Sequence, residues 1–170
     1  YKRPDGFHEV AMIMQAIDLA DIVTLRLQNQ GVSVETDMPG LPCDTTNLAF
    51  RAALLLKEYC QVGYGVHITL NKRIPMAAGL AGGSTDAAAV LKGLNLLWDL
   101  GLDNSQLEQL AAALGSDVPF CLRGGTMRAL GRGEILSTLP SLPPCTLVLA
   151  KPEPGLSTSW IYQNYRSQAV

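Results

Sequence analysis

Charge is scarce in this chain of 170 residues: only 16% are Asp, Glu, Lys or Arg, and 13 basic against 15 acidic side chains leave a formal net charge of -2. That balance excludes a polybasic nucleic-acid binder, because no net field draws phosphate backbones and the basic residues are scattered. An anionic ligand must therefore be held locally. Long apolar runs are absent as well. None approaches the roughly 18 residues that cross a bilayer, and no cationic, apolar, small-residue series marks a signal peptide, so no membrane partner and an intracellular location are expected. The four cysteines, Cys43, Cys60, Cys121 and Cys145, form no C-x-x-C pair, which gives no support to a zinc site or a redox motif. They read as buried thiols in a reducing compartment. Against these shortages stands a hydrophobic content of 48%, enough at this length for one core that buries about 70% of the unfolded surface.

The patterning predicts strands over His8 to Ile17, Ile22 to Leu27 and Val32 to Thr36, where β-branched and apolar residues recur. A loop over Asp37 to Thr46 leads into a helix from about Asn47 to Tyr59, and a strand follows over Val66 to Ile74. Helices are expected over Ala87 to Trp98 and Asn104 to Leu114, the second started by Ser105 and stopped by Gly115. Strands over Gly124 to Leu130 and Thr146 to Ala150, and a helix over Ser157 to Tyr165, complete an α+β pattern with a mixed sheet. The chain opens in a loop-like Lys2-Arg3-Pro4-Asp5-Gly6 and ends at Val170 within a helical pattern. A longer protein is the expectation at both ends.

The strongest chemical feature is Pro75-Met76-Ala77-Ala78-Gly79-Leu80-Ala81-Gly82-Gly83-Ser84-Thr85 between a strand and a helix. Backbone amides without bulky side chains at a helix N-terminus converge on an anion, and the helix dipole adds about half a positive charge. Ser84 and Thr85 supply hydroxyls for phosphate or Mg²⁺. A side chain at Gly82 is expected to intrude on the phosphate space rather than on the core. The segment is not a Walker A loop, since Gly83 precedes Ser84 where lysine is required, nor a G-x-G-x-x-G fingerprint, since Ala81 holds the second glycine position. A closely packed strand-to-helix turn is the alternative reading.

Asp117, in Gly115-Ser116-Asp117-Val118-Pro119-Phe120, is either the N-cap of a short helix or a base for a substrate hydroxyl. His8 follows an aromatic residue and a turn, where it can meet a ligand ring, whereas His67 reads as structural. Lys72 and Arg73 end a strand just before the glycine-rich loop and either flank a phosphate or are solvated. Asn47 is first of all a helix cap.

Together, Arg3-Pro4-Asp5-Gly6-Phe7-His8-Glu9, the Pro75 to Ala88 segment and Gly115 to Phe120 resemble the GHMP superfamily of small-molecule kinases, over essentially the whole chain. The loop carries the superfamily; the two flanking segments narrow the resemblance to a member with a cytidine-bearing substrate. It implies an α+β fold of the GHMP-kinase N-terminal type, like domain 2 of ribosomal protein S5, with a mixed sheet and helices packed on it. Residues 1–150 would form the ATP-binding domain without its first strand, and 151–170 the start of a C-terminal domain. By position, Pro75 to Thr85 would wrap the phosphates of ATP with Mg²⁺, and Asn47 and Lys72 would lie around the adenine. Asp117 would be the catalytic base. His8 would hydrogen-bond the cytosine while Phe7, where the family usually has tyrosine, stacks on it. Thr85 replaces a usual serine. The implied partner is a small molecule, a cytidine diphosphate-linked methylerythritol, with the protein a monomer or weak homodimer in a bacterial cytoplasm or plastid stroma. The family's catalytic lysine lies on a strand before Tyr1, so these 170 residues alone are expected to be inactive. Another GHMP small-molecule kinase and a non-catalytic anion-binding module are the alternatives.

Overall fold

The computed structural model describes residues 8–151 together with Arg3, Pro4, Gly6 and Ile161. Strand β1 (Val10–Gln15) is followed by β2 (Ile22–Gln28), β3 (Val32–Thr36), helix α1 (Leu48–Tyr59) and β4 (Gly65–Asn71). Helices α2 (Gly82–Leu97), α3 (Asn104–Leu114) and α4 (Val118–Arg123) come next, then β5 (Thr126–Gly131) and β6 (Ile135–Thr138). The strands form two three-stranded sheets rather than one. In the first, β5 lies between β1 and β6 with antiparallel pairing throughout; in the second, β4 lies between antiparallel β2 and parallel β3. The parallel pair requires a crossover, which α1 supplies.

The core follows from period-two burial on β4 meeting alanine-rich helices. Val66, Ile68 and Leu70 point to one side and are fully buried, whereas His67 and Thr69 point to the other. Against that side lie Ala49, Ala52, Ala53 and Leu56 of α1 and Ala87, Val90, Leu91 and Leu94 of α2. Small alanines let the two helices approach closely, and each buried Leu, Ile or Val contributes about 1.5–3 kcal/mol. At Gly93 an added Cβ would stand 2.4 Å from Leu25 Cδ1, so glycine there lets α2 settle on β2.

Most expected elements are present, and the differences have physical causes. Helix α2 begins at Gly82, five residues before the expected Ala87, because its first turn closes with Thr85 N–H donating to Ala81 O at 2.9 Å. The intrinsic penalty of glycine, about 1 kcal/mol each, is outweighed by burial further along the helix. Helix α3 is started by Asp103, not Ser105: Asp103 accepts from Gln106 N–H at 2.9 Å while Gln106 accepts from Asp103 N–H at 3.0 Å, a reciprocal capping box. Residues Thr146 to Ala150 are not a strand. They have no ladder partner among the described residues, and Val148 is 92% exposed; β-propensity without a neighbouring strand does not make one. The four-residue β6 was not expected and exists through its pairing with β5. Cys43 and Cys145 are exposed, contrary to expectation, and Cys60 and Cys121 are half-buried. Burial raises the Cys60 and Cys121 thiols above the ordinary value. The helix expected over Ser157 to Tyr165 lies outside the described residues except for Ile161. No helix among the described residues is long and apolar enough to cross a membrane.

Candidate active site

A cavity of about 640 Å³ lies where the glycine-rich loop, β1, the start of α1 and the residue before α4 meet. Most of the sequence-expected site residues line it: Pro75, Met76, Ala77, Ala78, Gly79, Ala81, Gly82, Gly83, Ser84, Asn47, Lys72 and Asp117. Leu80 and Thr85 line instead a neighbouring, more apolar cavity of about 500 Å³. The Thr85 hydroxyl donates to Ala81 O at 3.0 Å and lies 3.5 Å from Cys121 Sγ. His8 is half-buried two residues before β1 and is not among the residues lining the larger cavity. Phe7 lies outside the described residues.

The loop's shape comes from its backbone. Ala77 (φ 51°), Gly79 (φ 70°) and Ala81 (φ 53°) all take the left-handed region, which strains a non-glycine residue by about 1–3 kcal/mol. Ala81 is the N-cap of α2 and offers no side-chain hydrogen bond. The first amides of a helix have no intrahelical acceptor, so those of Gly82, Gly83 and Ser84 remain at the cavity wall as donors. At Gly82 a Cβ would stand 3.0 Å from Cγ2 of the buried Ile74 and 3.6 Å from Lys72 Nζ, so an added side chain meets packed atoms first. At Gly83, which is exposed in the cavity wall, a Cβ would meet only Leu48 Cδ1 at an ordinary 3.6 Å.

Asp117 lines the same cavity from the turn between α3 and α4. A bidentate pair from Arg123 to Glu108, at 2.6 and 2.7 Å, ties these helices together. Although Asp117 occupies the N-cap position, its side chain makes no capping hydrogen bond. The residue is exposed, yet the protein around its carboxyl group partly desolvates it and raises its pKa above the usual aspartate value. An exposed, uncapped carboxylate with raised affinity for protons can accept one from a hydroxyl.

Asn47 caps α1: its Oδ1 accepts from Ala49 N–H at 2.9 Å and its Nδ2 donates to Pro42 O at 2.7 Å. Lys72 is more deeply committed. Its ammonium pairs with Asp21 and, at 2.6 Å, with Asp86 Oδ2, and the three side chains are 3%, 1% and 3% exposed respectively. Desolvation opposes the Lys72 charge, but the bonds to Asp21 and Asp86 outweigh it and raise the group above the ordinary lysine value. Asp86 is pushed up to about 6, first by desolvation, against the bond to Lys72. Desolvation also acts on Asp21, where bonds from Lys72 and the amides of Ile74 and Arg73 prevail and lower its pKa.

Neither Asp21 nor Asp86 was singled out from the sequence. Asp86 carried a signal, as a lone carboxylate ahead of an alanine-rich helix; Asp21 carried none, being 51 residues from the lysine it binds. His67, expected to be structural, lies on the outer side of β4 with Nδ1 2.8 Å from Ser33 Oγ and Nε2 3.3 Å from Glu35.

Residues 47–125 match the GHMP kinases N terminal domain. With its mixed strand pairing, its packed helices and a glycine-rich turn entering α2, the chain has the α+β fold of that domain. Among curated relatives, the 4-diphosphocytidyl-2-C-methyl-D-erythritol kinase of Gloeobacter violaceus is 55% identical over 98% of this chain and 55% of its own length. The kinase of the same name from Synechococcus sp. (strain JA-3-3Ab) is 55% identical over 97% of this chain and 54% of its own length. A crystal structure of 4-(cytidine 5'-diphospho)-2C-methyl-D-erythritol kinase aligns with a TM-score of 0.69 at 41% identity, covering 81% of this chain and 48% of that one. The chain thus spans about half the length of the relatives it matches.

Proposed function

We propose that the protein is an ATP-dependent kinase that phosphorylates the 2-hydroxyl of 4-diphosphocytidyl-2-C-methyl-D-erythritol, giving the 2-phosphate and ADP in isoprenoid precursor biosynthesis. The observation that carries the reading is one cavity lined both by an uncapped carboxylate, Asp117, and by the residues that open α2. Identity of 55% to kinases of that name supports the choice of substrate.

In this reading the amides of Gly82, Gly83 and Ser84 receive phosphate oxygens of ATP, with Asn47 and Lys72 toward the adenine end. Asp117 takes the proton of the substrate hydroxyl as its oxygen bonds to the γ-phosphorus and the bond to the β-phosphate oxygen breaks, releasing ADP. Mg²⁺ fits a site of this kind, because it keeps several waters and binds chiefly through substrate phosphates. Among the described residues no cluster of His, Cys, Asp and Glu forms a metal cage of its own, so Mg²⁺ would arrive with the nucleotide, beside Ser84. It would offset phosphate charge there. Phe7 and His8 are assigned to the cytosine, and residues 1–150 and 151–170 to the nucleotide-binding domain and the start of a second one.

The test is ADP release by the full-length protein with ATP and the cytidine-bearing alcohol, beside mevalonate and homoserine as acceptors. Turnover confined to the cytidine-bearing alcohol is expected. Equal turnover of the other acceptors would make it a different GHMP kinase, and ATP binding without turnover of any acceptor would leave an anion-binding module.

A further inference from the structure

The glycine-rich loop is pinned at both ends by one buried ion cluster, Asp21, Lys72 and Asp86, whose two carboxylates have no part in the reading above. Asp21, immediately before β2, accepts through Oδ1 from the backbone N–H of Arg73 at 2.5 Å and of Ile74 at 2.9 Å. Its other oxygen pairs with Lys72 Nζ, and the same ammonium reaches Asp86 Oδ2 at 2.6 Å. Asp86 lies in the opening turns of α2, while Arg73 and Ile74 precede Pro75. Two residues 65 positions apart in the chain thus meet through one lysine, and the strained segment from Pro75 to Ala81 is strung between them.

Two facts speak against an anion-binding role for Lys72. Its charge is matched by two carboxylates, so the cluster carries no positive excess for a polyphosphate, and its side chain is 3% exposed. What the cluster supplies is position. A loop with Ala77 and Ala81 in the left-handed region persists only where its surroundings over-determine it, and buried, hydrogen-bonded ion pairs are directional enough to do that.

We propose that Asp21 is a positioning residue for nucleotide binding: through Lys72 and Asp86 it sets the position of the Pro75 to Ala81 loop relative to the first turn of α2. The proposal rests on the ATP-kinase reading above for its kinetic consequence but not for its structural one.

The test uses the full-length protein with Asp21→Asn, which keeps an acceptor for the two amides but loses the charge facing Lys72, and Asp21→Ala, which loses both. In Asp21→Ala the KM for ATP is expected to rise at least tenfold, in Asp21→Asn severalfold, with the acceptor KM within twofold of wild type in both. Amide hydrogen exchange without nucleotide is expected to accelerate at least tenfold within residues 75–85 and to stay unchanged in α1 and β4. A lowered melting temperature with an unchanged KM for ATP, or both KM values rising together, would overturn the proposal and leave the cluster a purely structural one. Should Asp21→Ala fail to fold, Asp21→Asn carries the same comparison. If wild type shows no turnover, the kinase reading fails by itself and exchange alone decides: acceleration confined to the loop supports the clamp, while none, or a uniform increase, refutes it.

Discussion

Substituting Gly82 and Gly83 separately divides the helix entry into a face that packs and a face that binds. At Gly82 an alanine Cβ would stand 3.0 Å from Ile74 Cγ2 and 3.3 Å from Ile74 Cβ. Ile74 is 4% exposed and its amide is held by Asp21 at 2.9 Å, so it yields little. Overpacking of this kind costs about 1–3 kcal/mol, and replacing glycine by alanine in a helix returns at most about 1 kcal/mol. Gly82→Ala should therefore lose about 0–2 kcal/mol, a fall in Tm of up to about 8 °C for a domain of this size. Gly83→Val meets only Leu48 at ordinary contact distance, and valine is a slightly better helix former than glycine, so its Tm should stay within about 2 °C of wild type. Its methyl groups, however, enter the cavity beside the first-turn amides. A tenfold or larger rise in the Kd for ATP, about 1.4 kcal/mol, is expected from calorimetric titration of the full-length protein. Wild-type affinity in folded Gly83→Val would refute the assignment of this wall to phosphate, and a stabilised Gly82→Ala would refute the packing.

Asp117→Asn should lower kcat at least a hundredfold, with both KM values and the fold preserved, because the amide keeps the size of the side chain but cannot take a proton; near-normal kcat would remove Asp117 as the base. Since burial raises the Asp117 pKa and the base works unprotonated, activity should fall as pH drops through a midpoint above the ordinary aspartate range. The acid limb of kcat/KM against pH reads this directly, and a limb at or below that range would contradict it. Ala81→Gly should relieve a left-handed backbone (φ 53°) and add up to about 1 kcal/mol of stability, measured by denaturant unfolding. His8→Ala should raise the KM for the cytidine-bearing substrate while that for ATP stays within twofold; equal changes in both would make His8 structural.

The sequence by itself determined the local features whose causes are local. Period-two apolar residues in Val66 to Leu70 mark a strand with one buried face, Asn47 marks a helix start, and Gly115 marks a helix end; the chain adopts each of these. The glycine-rich segment and the Gly-Ser-Asp-Val-Pro-Phe segment stand out as candidates for chemistry because anion binding at a helix N-terminus and proton transfer call for those residue types close together in the chain. What the tertiary structure decided depends on partners distant in sequence. The split into two sheets arises from pairings such as β1 with β5, more than 110 residues apart, and Thr146 to Ala150 has no such partner among the described residues despite its composition. The same distinction runs through the site. That Asp117 makes no capping bond, that the Gly82 side faces the core while Gly83 faces the cavity, and that Lys72 is held by two carboxylates are consequences of packing. Residue type alone leaves each of these open, because a charge or a small side chain acquires its role only from the atoms that surround it.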